Sequence, residues 1–93
     1  HSNNNNFEKS SKIAQDYTEL YPTLAPFYFY AALSESKLNN SKKAIDFAES
    51  GLDFLIENPE LERQFYIQLS MDYKTIGDMK KSNSYAAKAQ KIK

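Results

Sequence analysis

Breaks are scarce in this sequence. Two glycines and three prolines punctuate 93 residues. No stretch alternates polar and apolar residues long enough to make a half-buried strand. Alanine, lysine, glutamate and aromatic residues fill the space between the breaks, which favours helices. Pro22, Asn39-Asn40, Asn58-Pro59 and Gly77-Asp78 therefore mark the breaks. A proline disfavours helical geometry in the residue before it and is tolerated in a helix only in the first turn. A chain of this length makes one domain. Its core is thin, because only about 60–65% of the unfolded surface is buried on folding.

Read in order, the chain predicts five helices. His1 to Asn6 offer nothing apolar to bury and read as a disordered start, with His1 and the neighbouring Ser2 left from a cloned tag. Asn6 can cap a helix from Phe7 to Tyr21, with Ile13 or Ala14, Tyr17, Leu20 and Tyr21 on one side. Pro22 ends it. Thr23 can cap a second helix running to about Leu38, with Pro26 in its first turn. Its apolar residues fall on two faces, Tyr28, Ala31, Ala32 and Leu38 on one, Phe29 and Leu33 on the other. Such a helix is covered on two sides or exposes an apolar groove. Asn39-Asn40 breaks it, and Ser41 caps a third helix carrying Ala44, Ala48, Leu52, Leu55 and Ile56, with Phe47 and Phe54 in a second row. Asn58 as cap and Pro59 at the first helical position start the fourth, with Leu61, Phe65, Tyr66, Leu69, Tyr73 and Ile76. Gly77-Asp78 ends it. The fifth carries Met79, Tyr85, Ala86, Ala89 and Ile92.

Composition narrows the function. Twelve basic residues balance twelve acidic ones, which argues against a general nucleic-acid binder. The chain has no cysteine, and its one histidine is His1, so thiolate chemistry, histidine catalysis and most metal sites have nothing to build on. No cofactor is expected. Glu35, Asp46, Glu49, Asp53, Glu57, Glu60 and Glu62 spread along helix surfaces, where carboxylates are solvated. With no phosphate loop either, the chain reads as no enzyme. Asn39-Asn40-Ser41 fits a glycosylation triplet, read here as chance in an asparagine-rich chain. The longest apolar run, Phe27 to Leu33, is far short of a membrane span. Signal and transit patterns are missing from the given residues, so the compartment stays open.

Charge is unevenly placed. Glu35 to Asp72 holds eight acids and four bases, and Lys74 to Lys93 six bases and one acid. Contact of a basic last helix with nucleic acid or an anionic membrane, through Lys80, Lys81, Lys88, Lys91 and Lys93, is one reading. The favoured one is a solvated terminal helix whose lysines suit the negative helix C-terminus.

An internal repeat organises these helices. Tyr28 to Leu52 lies on Tyr66 to Gln90 at an offset of 38. Tyr28 meets Tyr66, Ala32 meets Ser70, Leu38 meets Ile76, Asn39 meets Gly77, Ala48 meets Ala86 and Gly51 meets Ala89. Small residues recur where two helices cross closely, and large ones where they fill the gap. Each unit is a helical hairpin that cannot cover its own apolar faces, so stacking is expected.

This pattern resembles the tetratricopeptide repeat, a helix–turn–helix unit of about 34 residues. With the first unit counted from Ala25 and the second from Arg63, the family's aromatic, apolar and small positions fall on Tyr28, Ala31, Ala32, Ala44 and Gly51, then on Tyr66, Leu69, Ser70, Tyr73, Gly77, Ser82 and Ala89. Counted backwards, Ala14, Tyr17 and Pro22 fit the end of an earlier unit. Two departures stand out. Glu35 replaces an aromatic residue, which exposes that place or pairs it with a lysine. Pro59 to Glu62 are inserted and lengthen the fourth helix by one turn. That long first helix, from Asn58 to Tyr66, is similar to those of bacterial tetratricopeptide proteins.

The resemblance implies an all-α, right-handed solenoid of antiparallel hairpins, about two and a half units in five helices. Residues 1–6 would be the disordered start with its tag remnant, 7–22 the second helix of a truncated unit, 25–58 one unit and 59–93 another. In this family first helices line a concave surface that holds ligands. Carried over, that surface is Pro26, Phe29, Leu33, Ser36 and Lys37, then Gln64, Ile67, Met71, Lys74 and Thr75. Apolar residues there do not fit the family's carboxylate clamp. An apolar groove with a basic rim at Lys37 and Lys74 suits a peptide or helix better. The implied function is a protein–protein interaction scaffold or adaptor in a longer chain. The alternatives are contact with neighbouring repeats only, self-association as a homodimer through the apolar ends, or the basic-helix contact above.

Overall fold

The breaks fall where the punctuation puts them. The computed structural model describes residues 2–55 and 57–92, with side chains from residue 9 onward except at 11 and 56. Its helices are α1 (Ser2–Leu20), α2 (Ala25–Lys37), α3 (Ser41–Asp53), α4 (Pro59–Thr75) and α5 (Met79–Lys91). No strand occurs among the described residues. Helical backbone begins at Ser2, ahead of the start expected at Phe7. Adding a polar turn to a nucleated helix costs little. His1, read as a tag remnant, lies outside the described residues, as do Ile56 and Lys93. The inserted turn is present: α4 has 17 residues where α2, α3 and α5 have 13.

Two caps sit one residue away from their expected places. Leu24, not Thr23, precedes α2, and no side chain caps that end. Asn40, not Ser41, precedes α3, and its amide is used elsewhere, donating to Glu35 Oε1 at 2.9 Å. The other starts follow the sequence. Asn58 Oδ1 accepts from the Leu61 N–H at 3.1 Å, and Asp78 Oδ1 from the Lys81 N–H at 3.1 Å. The third helix stops at Asp53, before the expected Leu55.

The internal repeat appears in the backbone itself. Asn39 and Gly77 take left-handed φ values of 65° and 88°. After α2, the Asn40 N–H reaches the Glu35 carbonyl at 2.8 Å and the Asn39 N–H reaches Ser36 at 3.0 Å. After α4, the Asp78 N–H reaches Tyr73 at 2.9 Å and the Gly77 N–H reaches Lys74 at 3.1 Å. These are two copies of one helix-ending motif, in the register of the sequence repeat.

Each helix packs on the next, and α2 also meets α4 two helices on. This order is that of a helical repeat. The radius of gyration, 12.8 Å, is that of a folded domain of this length. Small residues mark the hairpin crossings as expected. Ala32, Ala44 and Ala48 are buried between α2 and α3. Between α4 and α5, Ser70 and Ser82 each donate a hydroxyl to the other's carbonyl at 2.8 Å. The inward side of α1 follows its expected stripe at Ala14 and departs from it elsewhere. Ala14 and Thr18 are buried, while Ile13, Leu20 and Tyr21 are exposed and Tyr17 stacks on Phe27 with ring centroids 4.9 Å apart. Small side chains let the two helices approach, and the large ones rest at the rim.

Gly51 marks the tightest point. A Cβ there would lie 2.6 Å from Phe65 Cζ and 2.7 Å from Tyr28 Cβ. Phe65 is fully buried and Tyr28 Cβ is fixed by its backbone, so neither yields cheaply. Alanine gains about 1 kcal/mol over glycine in helix propensity, yet overpacking costs about 1–3 kcal/mol. Gly51→Ala is therefore expected to lower the urea midpoint. A raised midpoint would mean that Phe65 is loosely seated.

Candidate partner-binding surface

The surface assigned from the sequence lies on α2 and α4, and packing divides it in two. On α2, Phe29 and Leu33 are half-buried. Phe29 meets Phe65 edge to face, with centroids 5.3 Å apart at 83°. Ser36 donates its hydroxyl to Asp72 Oδ1 at 2.8 Å. Lys37 is exposed. So the α2 half largely serves the junction with α4. The α4 half is open. Gln64 and Lys74 are exposed, and Ile67 and Met71 keep 42% and 57% of their surface in solvent.

Ile67 and Met71 do not stand alone. With Ala86, Ala89 and Ile92 of the α5 end they floor a groove of about 480 Å³, and Arg63 stands at its edge. Sequence reasoning missed the α5 contribution. The signal was present, since Ala86 and Ala89 are small residues of the repeat, but they were read as crossing residues only. The groove is thus the flank of one hairpin more than a furrow running from α2 to α4. Lys74 continues the exposed row of α4, and Lys37 belongs to the covered half.

Two carboxylates are buried nearby. Glu35 keeps only 2% exposure, which corrects the expectation of an exposed or lysine-paired side chain. Its oxygens accept from Gln15 Nε2 at 3.0 Å and Asn40 Nδ2 at 2.9 Å, tying α1 and the α2–α3 turn together. Asp72, at 1%, accepts from Ser36 and from Gln68 Nε2 at 3.2 Å. Burial raises its pKa above the ordinary carboxylate value, and the Gln68 and Ser36 hydrogen bonds oppose that rise.

A tyrosine stack occupies the opposite flank. Tyr73 and Tyr85 lie parallel, 5.7 Å apart, and both hydroxyls donate to Glu49 Oε2, at 2.7 and 3.1 Å. Burial, with the Glu49 charge and hydrogen bond beside it, pushes the Tyr85 phenol up to about 12. Lys81 lies over the Tyr73 ring at 5.2 Å and Lys88 over Tyr85 at 5.1 Å. Two lysines of the basic helix therefore rest on the protein's own rings.

Among the described residues no cluster of three or more carboxylate or histidine side chains could hold a metal. No helix there is long and apolar enough to cross a membrane. No protein-family model matches the sequence, and no curated protein and no solved structure resembles it at a significant level.

The Asp72 environment gives a signed pH dependence. A folded-state pKa raised by burial means the charged form is disfavoured by folding. That cost is absent below the ordinary carboxylate pKa and complete above the raised one. Asp72→Asn, whose amide can still accept from Ser36, is expected to raise the urea midpoint at pH 7. The gap to the parent should close as the pH falls into the carboxylate range. A lower midpoint at every pH would show that the charged hydrogen bonds outweigh desolvation.

Proposed function

We propose that the chain is a protein–protein interaction segment built from tetratricopeptide-type units. In this reading α2–α3 and α4–α5 are two units of a right-handed solenoid, and α1 is the second helix of a preceding unit. A partner peptide or helix lies against α4, with Gln64, Ile67, Met71 and Lys74 as contacts and α5 as the far wall. The role is that of a binding scaffold without cofactor or catalytic group.

The observation that supports this most is the exposure of Ile67 and Met71 in a shared groove floored by small residues. Single exposed apolar side chains are ordinary, but a contiguous apolar groove with a polar edge is the usual form of a docking site. Its shape suits an amphipathic helix laid between two helices.

The test is affinity capture from native lysate with the whole chain and with the Ile67→Lys, Met71→Lys variant. Both positions are exposed, so circular dichroism should be unchanged. A partner retained by the parent should fall by about tenfold or more in the variant, as for the loss of central apolar contacts. Equal capture by both baits would remove the groove from the function.

A further inference from the structure

We propose that the α4–α5 groove accepts an amphipathic helix of a separate protein, one that presents an aromatic ring and, two turns later, a carboxylate. The inference rests on the reading of this groove as a partner site and names the partner's chemistry.

The chain contains its own precedent. The flank of the α2–α3 hairpin already receives a helix, α4. There the Phe65 ring packs on Phe29 and reaches the place a side chain at Gly51 would occupy. Seven residues later, Asp72 takes the Ser36 hydroxyl at 2.8 Å. Seven residues are two helical turns, about 10 Å along the axis. Each receiving residue has a counterpart 38 positions on: Phe29 becomes Ile67, Gly51 becomes Ala89 and Ser36 becomes Lys74. Ile67 and Ala89 both line the open groove. The paired motifs after Asn39 and Gly77 show that the backbone keeps this same register.

A helix seated on α4–α5 as α4 sits on α2–α3 thus places a ring over Ile67 and Ala89. Its residue seven positions later comes to Lys74. Where Ser36 asks only for an acceptor, the exposed Lys74 ammonium favours a full negative charge. Arg63 at the groove edge adds positive charge near the ring end.

A second copy of this chain does not offer the pattern. Its exposed stripe on α1 carries Ile13, Tyr17 and Leu20. Seven residues beyond Ile13 stands Leu20, and seven beyond Tyr17 stands Leu24, so no carboxylate follows at the required place. The Phe65 face of α4 is already buried within its own chain.

The probe is a labelled synthetic peptide of residues 59–75, which carries the Phe65 and Asp72 pattern, titrated by fluorescence anisotropy against the whole chain. Saturable binding is expected. It should weaken about tenfold with Ile67→Lys in the protein or Asp72→Lys in the peptide. Lys74→Glu in the protein should restore the Asp72→Lys peptide and weaken the parent peptide. Equal binding of both peptides would overturn the carboxylate requirement while leaving the groove reading intact. Binding untouched by Ile67→Lys and Lys74→Glu would show the peptide displacing α4, which also overturns it. A concentration-dependent mass of the chain alone, abolished by Ile67→Lys, would give the groove to a second copy. Absence of peptide binding beside successful lysate capture would reject this partner chemistry and keep the proposed function.

Discussion

The Phe65 ring holds the two hairpins together. It comes from α4, lies against Phe29 of α2, and points at the one residue of α3 with no side chain. Burying a ring of this size contributes about 1.5–3 kcal/mol, and its removal leaves a cavity that costs about 3–5 kcal/mol. For a small domain whose whole stability is about 5–15 kcal/mol, that is a large share. The glycine is required because the ring needs the space a Cβ would fill. One aromatic residue and one glycine, 14 positions apart in sequence, thus fix how the second hairpin meets the first.

Around that apolar contact, the polar groups act as specific ties. Glu35 collects Gln15 from α1 and Asn40 from the turn after α2. Asp72 collects Ser36 across the α2–α4 junction, and Glu49 collects two tyrosine hydroxyls from α4 and α5. Burial of Asp72 carries a desolvation cost that its hydrogen bonds offset in part. In return each accepts bonds from helices that the apolar contacts alone would leave free to slide. Among the described residues no buried side-chain polar atom lacks a partner. These ties bear on register more than on net stability, because an apolar pair of equal volume would stack the helices without choosing their offset.

Much of this was legible in the sequence, for reasons that differ by residue. Pro59, Gly77 and the asparagines announce helix ends through backbone geometry alone, and that chemistry is local. The helix count and the hairpin pairing follow from it. The Gly51 and Ala89 match also showed, since close crossings demand small residues whatever surrounds them. Glu35 was misread because its burial depends on Gln15, twenty positions earlier, which no local pattern connects to it. The inner face of α1 was read only in part, at Ala14, for a related reason. Helical spacing names a stripe but not its orientation, and Ala14 with Thr18 wins because small residues permit a closer approach. The groove was half legible. Ile67 and Met71 follow from position in the repeat, whereas the α5 wall appears only once two hairpins are placed together.

The division of the predicted surface follows from stacking itself. In a repeat array the residue that meets a ligand on one unit meets the next helix on the unit before it. Phe29 and Ile67 hold one place in the repeat, yet Phe29 is half-covered by Phe65 while Ile67 faces solvent. The side chains at the two places differ accordingly. The covered position keeps a ring suited to an edge-to-face contact, and the open one carries a branched aliphatic side chain that accepts a range of apolar shapes. Ser36 and Lys74 differ in the same sense, a short hydroxyl where Asp72 is already in place and a long exposed cation where no residue covers it. The interface inside the molecule is therefore the physical model for the one proposed on its open flank.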